Sequence, residues 1–193
     1  MIIIRSFLYV IALFGLLISL AAGAATYSFP NGPLPSGCSK QGNNRVNCGN
    51  VNLGLDDVVN LTRSVTWTIN GNANFNSRVR INPSGSAALS INITSAFTTE
   101  TDVSISANVT VGGNTVLKDR TRLTGNLTTT GTVTLESGVV VSGNTSAGGN
   151  ITVRSAGTIS GNLASTSGNV TLEAGTRISG NVSARRTLEL KSN

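Results

Sequence analysis

The chain has 193 residues, enough for one domain, with a formal net charge of +6, 11% charged residues and 4% aromatics. It has no histidine and only eight acidic residues, which excludes histidine-based catalytic triads. Disorder is excluded too, because Val, Ile and Leu recur at fixed positions among the Gly, Asn, Ser and Thr that fill the rest.

The N-terminus reads as an export signal over residues 1–24. Arg5 supplies a positive charge, Phe7 to Leu20 is almost wholly apolar, and Ala22-Gly23-Ala24 is a small-x-small cleavage site. An uncleaved anchor is the alternative, because Ile2 to Ala25 just reaches across a bilayer if Arg5 snorkels. Cleavage removes Arg5 and lowers the net charge from +6 to +5. The expected location is periplasmic or extracellular, at the surface of a bacterium.

Residues 25–64 read as an N-terminal cap. Pro30, Pro33 and Pro35 break regular structure, and Cys38 and Cys48 lie in one Gly/Asn-rich segment. In an exported chain such a pair forms a disulfide. Zinc or redox chemistry fails for lack of histidine and of a CxxC spacing. Val51 to Thr62 fits either a strand and turn or a short helix.

From Val65 the pattern has period two, the mark of half-buried strands: Val65, Trp67, Ile69; then Val79, Ile81; then Leu89, Ile91, Ile93. From Gly113 to Leu190 the chain repeats outright. GNTVLKDRTRLT from Gly113, GTVTLESGVVVS from Gly131, GNITVRSAGTIS from Gly149 and GNVTLEAGTRIS from Gly168 align without gaps, and RTLELKSN begins a shorter copy at Arg186. The spacing of the starts is constant but for a single extra position between Gly149 and Gly168. A period of about 18 residues holds three short strands and three turns, one winding of a β-solenoid. Counting back by the same step places earlier winding starts at Ser95 and Ser77. The reading is an all-β, right-handed parallel β-helix over residues 65–193. Uneven apolar spacing disfavours the left-handed hexapeptide helix.

Stacked windings bring equivalent positions together. One column reads Asn108, Asn126, Asn144, Asn162, Asn181, and its amides can bond the next Asn and the turn backbone. The preceding Gly125, Gly143, Gly161 and Gly180 are expected to take positive φ. Another column alternates in sign: Glu100, Lys118, Glu136, Arg154, Glu173, Lys191. Each charge then sits between opposite charges, and a slip of one winding sets like charges together.

Little else carries chemistry. Asp56-Asp57 is the one adjacent acid pair, and no acid cluster of the calcium-dependent lyase kind is present, so no enzyme, metal or cofactor is expected. Basic residues are scattered and alternate with acids, which speaks against nucleic acid. The N-x-S/T triplets follow from the Asn column and the Thr-rich strands rather than from glycosylation. Thr-x-Thr runs raise ice binding, but the Thr positions read as drifting between windings.

The GN-x-T and G-x-VTL-x-x-G-x-x-x-x-GN cycle, from about Val103 to Lys191, resembles the bactofilins, bacterial polymer-forming proteins. The resemblance implies a right-handed parallel β-helix that assembles end to end without nucleotide. The exported layout, a YSFP-like start and a Cys pair before GN-rich windings, is similar to secreted proteins found near pilus-biogenesis clusters. The signal and the disulfide depart from typical bactofilins. The expected function is therefore a non-enzymatic, self-assembling or scaffolding solenoid at the cell envelope. Its expected partners are its own copies and envelope or pilus components. The alternative is an adhesin or glycan-binding module, for which Trp67, Tyr27 and Phe75 are the candidate aromatics.

Overall fold

The computed structural model describes residues 23–192, so the export signal lies outside the described residues apart from Gly23 and Ala24. The described residues are all β: twenty-five short strands stacked into three sheets of eight, nine and eight strands. We call these face 1, face 2 and face 3 in the order the chain visits them within a winding. The windings of the repeat are in register as their sequence aligns: Phe97, Thr115, Val133, Ile151, Val170 and Leu188 form one parallel ladder column on face 3. Ile105, Leu123, Val141, Ile159 and Ile178 form one on face 1.

Alternation decides which side chains enter the core. In Val133–Leu135 and Ile151–Val153 the outer residues are buried and the central Thr faces out. The interior is a stack of Val, Ile and Leu closed toward the N-terminus by aromatics. Trp67 lies edge-on to Phe29 at 4.9 Å and stacks on Phe75 at 5.8 Å, and Phe75 meets Phe97 at 5.2 Å. Such pairs add to the area they bury.

The windings before Phe97 are longer. Ala73 aligns with Phe97, and Val51 with Ala73, each step longer in sequence than the one from Phe97 to Thr115. Counting back by a fixed step therefore fails beyond Ser95, whose N–H donates to Gly71 O at 3.2 Å. Ser77 is no winding start; it sits at a turn, with its hydroxyl 3.2 Å from that of Thr101. The additional chain bulges out between faces 1 and 2. Ile81 and Ile91 are well separated in sequence, whereas their ladder partners Ile105 and Val109 lie close together. A bulge at a corner leaves both flanking ladders intact, so the stack tolerates it.

Residues 25–64 also contribute windings. Val51–Leu53 and Val58–Leu61 are strands of faces 3 and 1, which resolves the strand-or-helix alternative, and Thr26–Phe29 runs parallel to Val58–Leu61. Arg45–Cys48 joins face 2 beside Val65–Ile69, and Cys38–Gln41 turns back on it as an antiparallel hairpin. The Cys38–Cys48 disulfide staples that hairpin. Pro30 and Pro35 are buried, and Leu34 packs on the core, so this end is covered.

Candidate functional site

The alternating column lies at the exit from face 3. Amides of Glu136, Arg154, Glu173 and Lys191 each bond the strand below at 2.8 to 2.9 Å, which stacks these residues on one corner. Within it the charges pair two by two. Lys118 Nζ donates to Glu100 at 2.7 Å and Arg154 Nε to Glu136 at 2.7 Å. Lys191 turns to Glu189 at 3.9 Å, and Glu173 accepts from Ser155 Oγ at 3.5 Å. No ion pair joins Lys118 to Glu136 or Arg154 to Glu173 among the described residues.

Slightly further along each winding, at the eighth position of the aligned repeat, runs a second column whose early members alternate in sign. Arg78 makes a two-pronged bond to Asp56 at 2.7 and 2.6 Å, and Arg120 one to Asp102 at 2.7 Å on each prong. The column continues as Gly138, Ala156 and Gly175, and all seven members have φ between 58° and 74°. This is the left-handed turn that starts face 1. The hydrogen bonds from the arginines hold Asp56 and Asp102 below the ordinary carboxylate value, with the nearby positive charges adding to the effect. Asp102 and Arg120 stand one regular 18-residue step apart and are legible from the repeat, whereas Asp56 and Arg78 meet only through the longer early windings.

The Asn column is present as a side-chain-to-backbone ladder. Asn126 N–H donates to Asn108 Oδ1 at 3.0 Å, and the amides of Asn144, Asn162 and Asn181 each donate to the Asn below at 2.8 Å. A second such column, at the entry to face 3, runs through Asn50, Asn72, Asn114, Asn150 and Asn169. The expected positive φ of the adjacent glycines holds only for Gly125, at 143°. The others are needed for closeness: a Cβ on Gly143 would stand 2.5 Å from Gly125 O, and one on Gly180 2.6 Å from Asn162 Oδ1.

Trp67 and Phe75 are buried, which removes them as exposed glycan contacts. On face 2 the outward Thr column gives way to Ser and Ala, from Thr110 and Thr128 to Ser146, Ala164 and Ser183, but face 3 is steadier. Thr98, Thr134, Thr152 and Thr171 face out from one column of face 3, broken only by Val116.

The acids are segregated. Asp56, Asp57, Glu100, Asp102, Asp119, Glu136 and Glu173 all lie on the corner between faces 3 and 1, and Glu189 is on the last strand of face 3. Outward on face 1, Arg80, Arg122 and Arg177 are exposed and make no ion pair among the described residues.

At the far end the core column opens. Leu188 and Leu190 on the last strand are 46% and 71% exposed, whereas Leu53, at the other end of the column that ends in Leu190, is 3% exposed. Arg177–Ile178, Val182–Ala184 and Leu188–Leu190 are the outermost strands of their three sheets. Among the described residues no group of three or more His, Cys, Asp or Glu could hold a metal ion. Compared with protein-family models, curated proteins and solved structures, the chain matches none.

Proposed function

We propose that this protein is an exported structural rod of the cell envelope, without enzymatic activity, that joins to its own copies through its last described winding. What carries the reading is the contrast between the buried Leu53 and the exposed Leu188 and Leu190, which lie on a strand that is outermost in its sheet among the described residues. The bactofilins, which the GN-rich cycle resembles, are the pattern for such assembly. The disulfide fits an oxidising periplasmic or extracellular setting. With one end covered, the first species expected is a pair of rods joined end to end, and longer filaments need a second contact. Sedimentation and electron microscopy of the exported protein test this. Joined rods that fall apart with Leu188→Lys and Leu190→Lys support it. Monodisperse single rods at high concentration overturn it.

A second reading, a module that holds an acidic glycan, is favoured by the unpaired Arg80, Arg122 and Arg177 on face 1. Arginine suits carboxylate and sulfate groups by two-pronged bonding. Retention on an immobilised polyuronate that is lost with all three changed to Gln, yet kept with Arg63, Arg185 and Arg186 changed instead, distinguishes this face from general positive charge.

A further inference from the structure

Asp57 is 5% exposed, and among the described residues it makes no ion pair. Its carboxylate is held by neutral groups: Ala25 N–H at 2.7 Å on Oδ1, Gly54 N–H at 2.7 Å on Oδ2, and the Tyr27 hydroxyl at 3.5 Å on Oδ2. A nearly buried carboxylate without a cation is costly. One of its three donors is the nitrogen that follows Ala22-Gly23-Ala24, the small-x-small cleavage motif.

The place of that nitrogen does not depend on what precedes it. Ala25 O accepts from Val58 N–H at 2.9 Å, and Thr26–Phe29 is registered on Val58–Leu61. Gly23 and Ala24 are exposed, and a Cβ added to Gly23 would meet nothing within 4 Å. An open cleft of about 450 Å³ borders the spot, lined by Gly23, Tyr27, Asn52 and Leu55 among others.

We propose that the Ala24–Ala25 bond is the processing site of this chain and that the α-ammonium released there is the counter-ion of Asp57. Hydrolysis places the oxygen of water on the Ala24 carbonyl carbon, giving a carboxylate. The Ala25 nitrogen leaves as an amine and takes up a proton. The same atom, already 2.7 Å from Oδ1, then carries a positive charge and three N–H donors instead of one. Cutting turns a neutral hydrogen bond into a buried ion pair, so the first winding locks after the leader is gone. In the uncut chain Asp57 faces an amide.

The pH signature follows from the amine. Pairing with Asp57 raises its pKa above the unfolded value of about 7.7–8.0. The stabilisation is complete below that value and is lost as pH rises through the raised folded one. The neighbouring groups do not mask it. Tyr27 is held above its ordinary 10.0, first by burial and then by Asp57. Asp56 is bound to Arg78, which holds it below its ordinary value.

The test begins with the intact mass of the exported protein, which should give Ala25 as the first residue. Three chains are then unfolded in denaturant at pH 6: one starting at a free Ala25, one acetylated there, and one starting at Gly23. The free-amine chain should have an unfolding equilibrium constant smaller than either other on the order of tenfold. The gap should close toward about pH 10 and be absent in Asp57→Asn. A first residue other than Ala25, or equal stability of free and acetylated chains at pH 6, overturns the proposal. If Asp57→Asn does not fold, the acetylated pair still decides.

Discussion

Arg120 donates from Nε and Nη2 to the two carboxylate oxygens of Asp102, each at 2.7 Å, one winding below, and both residues sit in the left-handed turn at φ 58° and 61°. Arg78 and Asp56 repeat the arrangement two windings earlier, so Arg78 lies between Asp56 and Asp102. Both carboxylates are held below the ordinary Asp value of 3.8, foremost by the hydrogen bonds from arginine. A depressed folded pKa contributes stability that is present above the unfolded value and is lost as pH falls through the folded one. Thermal melts at falling pH should therefore show stability declining below about pH 4. The double variant Asp56→Asn with Asp102→Asn should lose part of that slope while keeping the neutral-pH fold. An unchanged acid slope would mean these pairs do not persist in solution.

The other charged column makes a sharper claim about neighbours. Glu136 is joined to Arg154 and not to Lys118, although all three are successive members of one stack. A double-mutant cycle between Glu136 and Arg154 should give a coupling of about 0.2–1 kcal/mol, the range for half-exposed pairs. The cycle between Lys118 and Glu136 should give none beyond error. Equal couplings on both sides of Glu136 would restore a continuous ladder in place of discrete pairs.

The core was largely legible because the solenoid converts sequence period directly into contact. Once Gly113, Gly131, Gly149 and Gly168 align, Ile151 must lie between Val133 and Val170, and it does. The early windings resisted because periodicity assumes a constant length, and the bulge between Ile81 and Ile91 costs the ladders nothing while shifting every earlier residue out of phase. That is why Asp56 and Arg78 were not seen to meet. Thr98 and Thr134 were missed as a column for a different reason. Val116 between them breaks the residue type but not the register.

Ala156 occupies the left-handed column at φ 59°, between Gly138 at 68° and Gly175 at 74°. An L side chain there brings its Cβ unfavourably close to the backbone, and no charge pair offsets the cost as it does for Arg120 and Asp102. Ala156→Gly should raise stability by about 1 kcal/mol, less the extra freedom glycine has in the unfolded chain. Denaturant unfolding measures it. A loss of stability would mean that the turn relaxes around Ala156 at little cost.

Thr145 is 1% exposed, and its hydroxyl has no hydrogen-bond partner among the described residues, unlike Thr99 and Thr121, which bond each other at 2.9 Å. It stands in the face 2 column between Leu127 and Leu163, where the neighbouring windings place aliphatic side chains. Burying an unmet hydroxyl costs about 1–3 kcal/mol, and a methyl of similar size carries no such cost. Thr145→Val should therefore stabilise the chain by about 1 kcal/mol, and the same change at Thr121 should destabilise it by leaving Thr99 with one partner fewer. Matched denaturation curves of the two variants read out the opposite signs. Stabilisation by both would show that the Thr99–Thr121 bond contributes nothing to holding its windings together.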